Sequence, residues 1–407
     1  MEFGDDYFAF VAAHRDDDPA RLRLKFHGDP RSWLPYAVNN IAALRKSRKF
    51  RSRDGSDFTP RVIPLEVSAQ QSTSVDIARL HQSLAGDAPL RILDMTFGLG
   101  LDAFLLSSNP QNSLTGCDLQ EILVEAARVN FARRENVEVI CADSVNYLRE
   151  YAGTPFDLIF IDPARRGAEG ARLYNLHDCQ PDITQLLALF REKSSKVMAK
   201  LSPMLDVTQT IRDLPGLTEL HVVEEEGECK ELLAVLDFTR VVAEPRIIVD
   251  RLVLGNWQSY SFLQSEESAL RQTSPRSGLN CLLPIPGMFI LEPSAATMKA
   301  APFNLLSRDF NTGRLHPNTQ LYLSTRPIPD FPGKSHEIIK VWPFTSSNMK
   351  AVSREIPRAD ITLRNFFGFT ADSLRKRLKI KPGGDLRLYA ATVMTPSGAE
   401  RFLLLTR

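Results

Sequence analysis

The sequence predicts an α/β fold: a mainly parallel, helix-covered sheet, preceded by a mainly helical region and followed by an α+β domain. Three observations predict it. Between residues 89 and 238, short apolar runs alternate with segments of helical period, and four runs in succession lead to an aspartate. The first run opens into Asp94-Met95-Thr96-Phe97-Gly98-Leu99-Gly100-Leu101-Asp102, a glycine turn between strand and helix. Beyond residue 238, short apolar strands recur between frequent Pro and Gly.

Composition sets the outer bounds. At 407 residues the chain is too long for one simple domain, and 43% hydrophobic content can fill a core. Lys+Arg (50) balance Asp+Glu (49), so only local clusters can argue for nucleic acid. The five Cys are widely spaced with no CxxC pair, which fits neither a disulfide framework nor a structural metal site; no metal is expected. The acidic start is unlike a signal peptide, and no run of about 18 apolar residues marks a membrane span. A cytoplasmic location is therefore the expectation, with no membrane contact and no obligate protein partner.

Residues 1–88 read as mainly helical. Val38, Ile41, Ala42 and Leu44 recur at near-helical period, and 74–84 reads as a second helix. The basic centre of this region makes a poor isolated core, so it is expected to pack on the 89–238 segment. Strands are predicted at 91–95, 114–118, 137–141, 156–161 and 196–201, with helices over 119–134, 144–149, 183–190 and 207–212. Two further strands, 217–223 and 231–236, flank an acidic turn and predict an antiparallel hairpin at one edge. These elements make up an 89–238 domain. The 239–407 domain has strand candidates at 247–254, 287–291, 321–324, 337–343, 386–393 and 401–405, and one helix at 373–379. Residues 262–280 are polar and read as a mobile loop.

Gly98 and Gly100 let the chain turn tightly and approach a ligand. The turn lacks a full dinucleotide fingerprint, because Thr96 holds a glycine-like position and Ala103 another. Asp94, Asp118, Asp143 and Asp162 fall at the ends of successive strands, where open α/β sheets bind ligands. A carboxylate at Asp118 can accept from a ribose diol. Asp143 can meet an adenine amine or cap the helix that begins at Ser144.

This arrangement resembles the class I S-adenosylmethionine-dependent methyltransferases over residues 89–238, and so implies their Rossmann-like sheet with an antiparallel last hairpin. The resemblance implies S-adenosyl-L-methionine as cofactor, with Asp94, Thr96, Gly98 and Gly100 under its methionine moiety. It implies Asp118 and Leu119 at the ribose, Asp143 and Ser144 at adenine, and Asp162 beside the transfer centre. Asp162-Pro163-Ala164-Arg165 resembles the Asp-Pro-Pro-aromatic tetrad of base-amine methyltransferases, with Ala164 and Arg165 replacing Pro and the aromatic. It also resembles the Asp-Pro-Pro-Arg stretch of RNA uracil-C5 methyltransferases. Those need a Cys after the fifth strand, and the stretch 198–203 has none. Cys179 precedes that strand and reads as a packing residue, so a covalent mechanism is disfavoured. Asp162, Pro163 and Arg165 are the catalytic candidates, with Asp162 orienting a base nitrogen.

Substrate contacts are sought among basic residues. Arg45, Lys46, Arg48, Lys49, Arg51 and Arg53 form a run that reads as a solvated face or a nucleic-acid contact. Arg166 can meet phosphate or a carboxylate. Lys200 is a phosphate contact or a solvated strand end. Ser74, or less naturally Ser72, can cap the helix at 74–84, and this polar cluster can line the cofactor cleft. Toward the C-terminus, Arg364, Arg375, Lys376 and Lys379 surround Phe366, Phe367 and Phe369; at least two of these rings read as core, and a third can stack on a base. His316 is a minor candidate for substrate contact. Arg364-Asn365-Phe366 and the stretch 374–381 resemble the tail of bacterial methyltransferases carrying a THUMP-like domain, and true THUMP domains present RNA to a modifying domain. The first reading is therefore an RNA methyltransferase acting on a base nitrogen of tRNA or rRNA. A small-molecule or protein methyltransferase is the second, and a non-catalytic RNA-binding protein the third.

Overall fold

The computed structural model describes residues 3–52, 55, 57–165, 175–273 and 282–407. The chain divides into two compact units. One comprises Met1–Glu225, Lys230–Pro245 and Val253–Asn256; the other comprises Glu226–Cys229, Arg246–Leu252 and Trp257–Arg407.

The first unit begins with five helices: α1 (Asp5–Ala13), α2 (Pro19–Lys25), α3 (Leu34–Arg45), α4 (Glu66–Gln71) and α5 (Val75–Ala85). Their starts obey local chemistry. Asp18 accepts from Ala20 N–H with Pro19 at the first helical position, and Ser74 accepts from Ile77 N–H. The sheet strands of this unit are β1 (Arg91–Asp94), β2 (Ser113–Asp118), β3 (Val137–Cys141), β4 (Phe156–Ile161), β5 (Ser194–Leu201), β6 (Glu219–Glu225) and β7 (Glu228–Asp237). They lie in the order β6-β7-β5-β4-β1-β2-β3. Pairings from β5 through β4, β1 and β2 to β3 are parallel, whereas β7 runs antiparallel to β5. The central strands are buried on both faces, which explains why their sequences are nearly all apolar. Covering helices are α6 (Leu101–Leu106), α7 (Glu121–Asn130), α8 (Ser144–Glu150), α9 (Leu187–Lys193) and α10 (Val207–Asp213).

The helical front is continuous with this core. Tyr7, Phe10, Leu22, Leu34, Val38 and Ile41 pack in one cluster with Ala126 of α7. Ala43, Ile63, Val75 and Ala78 pack with Leu99, Leu101 and Leu105 at the glycine turn and α6.

The turn itself is shaped by one ring. Phe97 is buried, and its ring lies against Gly100 and Gly116; a Cβ at Gly116 would sit 2.1 Å from it, and one at Gly100 2.5 Å. Gly98 and Gly100 also take left-handed φ of 55° and 75°. Gly116→Ala is therefore expected to displace Phe97 and destabilise the unit by about 1–3 kcal/mol, read by urea unfolding. An unchanged midpoint would show that the ring relaxes freely.

The second unit has strands β8 (Arg246–Val253), β9 (Asn256–Leu263), β10 (Phe289–Pro293), β11 (Gly313–Arg314), β12 (Tyr322–Ser324), β13 (Gly333–Pro343), β14 (Asp360–Arg364), β15 (Arg387–Thr395) and β16 (Gly398–Thr406). Of these, β11-β12-β10-β13-β16-β15-β14 form one sheet, antiparallel except for the β14–β15 pair. Helices α11 (Gln264–Thr273), α12 (Ala295–Ala300), α13 (Phe303–Asp309), α14 (Ser346–Glu355) and α15 (Ala371–Leu378) complete it.

The second unit differs from the sequence reading in its helices, since α11 to α14 accompany the one expected at 373–379, and in two further respects. Residues 262–273, expected in a loop, are the end of β9 and helix α11; residues 274–280 lie outside the described residues. The helix escapes a hydrophobicity reading because its anchor is polar: the buried Glu267 carboxylate accepts from Asn304 and Leu305 N–H at the start of α13. Strand β9 also departs from the expectation, because half of it is exposed and polar. Among the described residues, no helix is long and apolar enough to cross a membrane.

Candidate functional site

The four strand-end aspartates line one cleft of about 750 Å³, with Thr96, Gly98, Gly100, Leu119, Ser144, Cys179 and Lys200. That volume falls within the roughly 300–1,000 Å³ of small-molecule sites. Ser68, Gln71, Ser72 and Thr73 border it as well. Ser74, not Ser72, caps α5.

Each aspartate is fixed differently. Asp118 at the end of β2 accepts from Gly98 N–H at 2.9 Å and Gln120 N–H at 2.8 Å, one on each oxygen. It thereby ties the glycine turn to β2. Asp143 caps α8, accepting from Val145 and Asn146 N–H through one oxygen. Asp94 is buried and accepts from Thr96 N–H at 3.0 Å. Burial pushes its carboxyl up to about 8, with nearby acids adding to the effect against that N–H. Thr96 has a positive role: its hydroxyl oxygen accepts from Asp162 N–H at 2.6 Å, joining the glycine turn to the end of β4.

Asp162 and Lys200 form the cleft's ion pair, Nζ to Oδ2. The Asp162 side chain remains 40% exposed. Burial raises the carboxyl above its usual range, with Lys200 opposing. For Lys200, burial is outweighed by Asp162, Glu231 and Asp102, and its ammonium is held charged. Lys200 is thus not the solvated strand end that the sequence allowed; Asp162 holds its ammonium at the cleft wall.

Behind this pair lies a network that the sequence reading does not anticipate. His81 on α5 is fully buried between Asp102 Oδ1, 2.7 Å from Nδ1, and Glu231 Oε1, 2.6 Å from Nε2. Asp102 also accepts from the Thr73 hydroxyl at 2.7 Å. Burial pushes the imidazole down, but the Glu231 and Asp102 carboxylates override it and raise His81 to about 10. His81 is therefore an imidazolium between two carboxylates. The available signals were a His in the buried phase of α5, an Asp at the start of α6 and a Glu opening an apolar strand.

Other predicted residues fare variously. Pro163 is buried, and the Arg165 backbone pairs with Cys179. Arg166 lies outside the described residues, as does Arg53. Arg45 donates to Asp16 O, and Lys49 donates to Gln70 O and Ser72 O just behind the cleft border. Burial lowers Lys49 to about 8, with Lys200 adding to the shift. Lys46 pairs with Glu66 and Arg51 with Asp57. Arg45, Lys46, Lys49 and Arg51 of the basic run thus each have a partner within the protein. In the second unit, Arg364 is held by the buried Glu292, which also takes Arg387 and Tyr389. Arg375 pairs with Asp372, while Lys376 and Lys379 are exposed. Phe366 and Phe369 belong to the core of this unit, as expected for two of the three rings. His316 Nδ1 accepts from Asn318 N–H and lies 3.2 Å from Asn365 Nδ2.

The acceptor set suits a ligand bearing hydroxyl and amine donors beside a flat ring. Asp118 and Asp143 are pre-oriented by backbone N–H groups and retain lone pairs for hydroxyls or an amine. Leu119 beside them is 67% exposed, an apolar surface for a flat ring.

Comparison with known proteins places these features in context. Residues 289–332 match a ferredoxin-like domain family and residues 333–407 a THUMP domain-like family. The chain is similar over its whole length to the crystal structure of a "putative methyltransferase" from Porphyromonas gingivalis W83. The identity is 26%, 100% of each chain is covered and the TM-score is 0.85. A curated "uncharacterized RNA methyltransferase" from Mycoplasma mobile is 35% identical over 80 residues, 19% of this chain. The chain spans about a fifth of that relative's length, 22%.

Proposed function

We propose that this chain, which has a class I methyltransferase-like fold with a THUMP-like C-terminal domain, transfers a methyl group from S-adenosyl-L-methionine to a base nitrogen of RNA. The observation that carries this reading is Asp118, whose two oxygens bind the glycine turn and the start of α7 at the rim of an acid-lined cleft. Support for RNA comes from the THUMP domain-like match and the Mycoplasma relative's description.

The cofactor supplies an electrophilic methyl group on a sulfonium. The protein's part is alignment and charge. Asp118 would accept from hydroxyl donors of the cofactor, Asp143 would accept from its amine, and Leu119 would cover its ring. Thr96 and Lys200 hold Asp162 from two sides, through its backbone N–H and its carboxylate. The remaining carboxylate oxygen of Asp162 would accept from the target N–H and take its proton as the nitrogen–methyl bond forms and the sulfur–methyl bond breaks, leaving a neutral thioether. Without a nucleophilic Cys following β5, transfer is direct.

Asp118→Asn tests the cofactor site. It keeps the side chain's size but replaces one acceptor with a donor facing backbone N–H. Affinity for S-adenosyl-L-methionine is expected to fall about 10- to 100-fold by calorimetry, the scale of losing a charged hydrogen bond. Unchanged affinity would remove Asp118 from the site. Methyl-labelling of total RNA from cells lacking the protein, followed by nucleoside mass analysis, tests the substrate; failure to label any RNA would overturn the RNA assignment.

A further inference from the structure

In the second unit, one large ring stands out of the fold. Phe367 is 81% exposed, while its neighbours Phe366 and Phe369 are packed into the core. Single exposed apolar residues are common and need no explanation. Here the loop that carries the ring is unusually constrained. Asn365 and Gly368, on either side of Phe366-Phe367, both take left-handed backbone, with φ of 51° and 83°. The Thr392 hydroxyl donates to Asn365 O, and Arg401 Nη1 donates to Phe367 O. Thr370 and Ser373 then close a reciprocal cap on α15. The ring is thus held outward by a loop pinned at both ends.

Its surroundings are cationic and planar. The Arg401 guanidinium lies over Phe344 and Phe366, 5.3 and 5.4 Å from their centroids. The Arg377 guanidinium lies over Phe369 at 5.5 Å. Phe344, Phe366 and Phe369 pack edge-on or tilted against one another. Arg401, Arg377, Lys376 and Lys379 are all exposed. An aromatic face beside exposed arginines suits a polyanion that also presents flat rings. An acidic peptide would satisfy the charge and leave the ring unused; a duplex keeps its base faces stacked internally.

We propose that the 365–369 loop is a stacking platform for an unpaired nucleobase of single-stranded RNA, with Phe367 on the base and Arg401 and Arg377 on the flanking phosphates. This rests on the reading of the substrate as RNA and adds where, and in what state, the strand is held.

The test is fluorescence anisotropy of the full chain with three labelled probes: a mixed-sequence single-stranded RNA, an RNA hairpin duplex of equal length, and poly-glutamate. The single strand is expected to bind most tightly. Phe367→Ala is expected to weaken it roughly five- to hundredfold, with Phe367→Trp restoring it, as for a base stacked on one aromatic ring. Arg401→Ala is expected to reduce the salt dependence of binding. Because Phe367 is exposed, its loss does not threaten folding. If Phe367→Ala binds every probe like the parent, the platform is refuted while RNA as substrate stands. Equal binding of duplex or poly-glutamate refutes it in favour of shape or charge alone. If no RNA is bound, both this inference and the RNA assignment fall.

Discussion

His81→Leu is expected to lower the unfolding free energy of the first unit by about 3–5 kcal/mol, the scale of removing one partner from a buried charged pair. The imidazolium is the group that hydrogen-bonds both Asp102 and Glu231. Its removal takes a charged hydrogen-bond donor from each of two buried carboxylates. Urea unfolding measures the loss. Adding Asp102→Asn and Glu231→Gln to His81→Leu is expected to recover part of it, since the two negative charges that the imidazolium balanced are then gone. A single variant with the parental midpoint would mean that the bridge does not support the fold.

The same group sets a pH dependence. His81 is raised from 6.5 to about 10 in the folded protein. The folded state therefore holds its proton more tightly than the unfolded chain. The resulting stabilisation is complete below pH 6.5 and is lost as pH rises through about 10. Asp94, raised from 3.8 to about 8, acts in the same sense over a lower window. The urea midpoint should accordingly fall as the solution is made alkaline, and His81→Leu should flatten the upper part of that fall.

Asp162→Asn carries the second large effect. If Asp162 accepts from the target nitrogen, transfer should slow about 10²- to 10⁴-fold, the usual weight of a positioned acid–base group. Cofactor affinity by calorimetry should stay near the parental value, because Asp118 and Asp143 hold the other end of the cleft. Lys200→Met gives an independent reading. It removes the charge that opposes the upward shift of Asp162. The acid limb of single-turnover transfer should then move to higher pH. Equal loss of cofactor affinity and transfer in Asp162→Asn would undo the separation of roles.

Much of this was legible in the sequence because it is local. Apolar runs ending in aspartate placed β1 to β4, and the glycine turn placed the cleft, since strand periodicity and left-handed turns are written in neighbouring residues. The features that escaped were long-range. Lys200 reads as a strand end until β4 and β5 pair and bring Asp162 beside it. His81 and Glu231 lie 150 residues apart, and only the placement of β7 beside β5 brings that part of the chain inward. The partners of the basic run escaped for a related reason: Lys46 and Lys49 donate to α4 and its end, which charge counting cannot supply. Polar α11 was hidden because Glu267 anchors it through hydrogen bonds rather than apolar area.

The clasp between α5 and β7 also orders events on the ribosome. The glycine turn emerges early, yet Asp102, just beyond it, shares His81 with a carboxylate synthesised 129 positions later. Until β7 leaves the exit tunnel, half of the counter-charge for that imidazolium is missing. Closure over such a separation is slow and gains nothing until complete. Asp102 lines the cleft, so this wall of the cleft reaches its final partners only once the hairpin is in place.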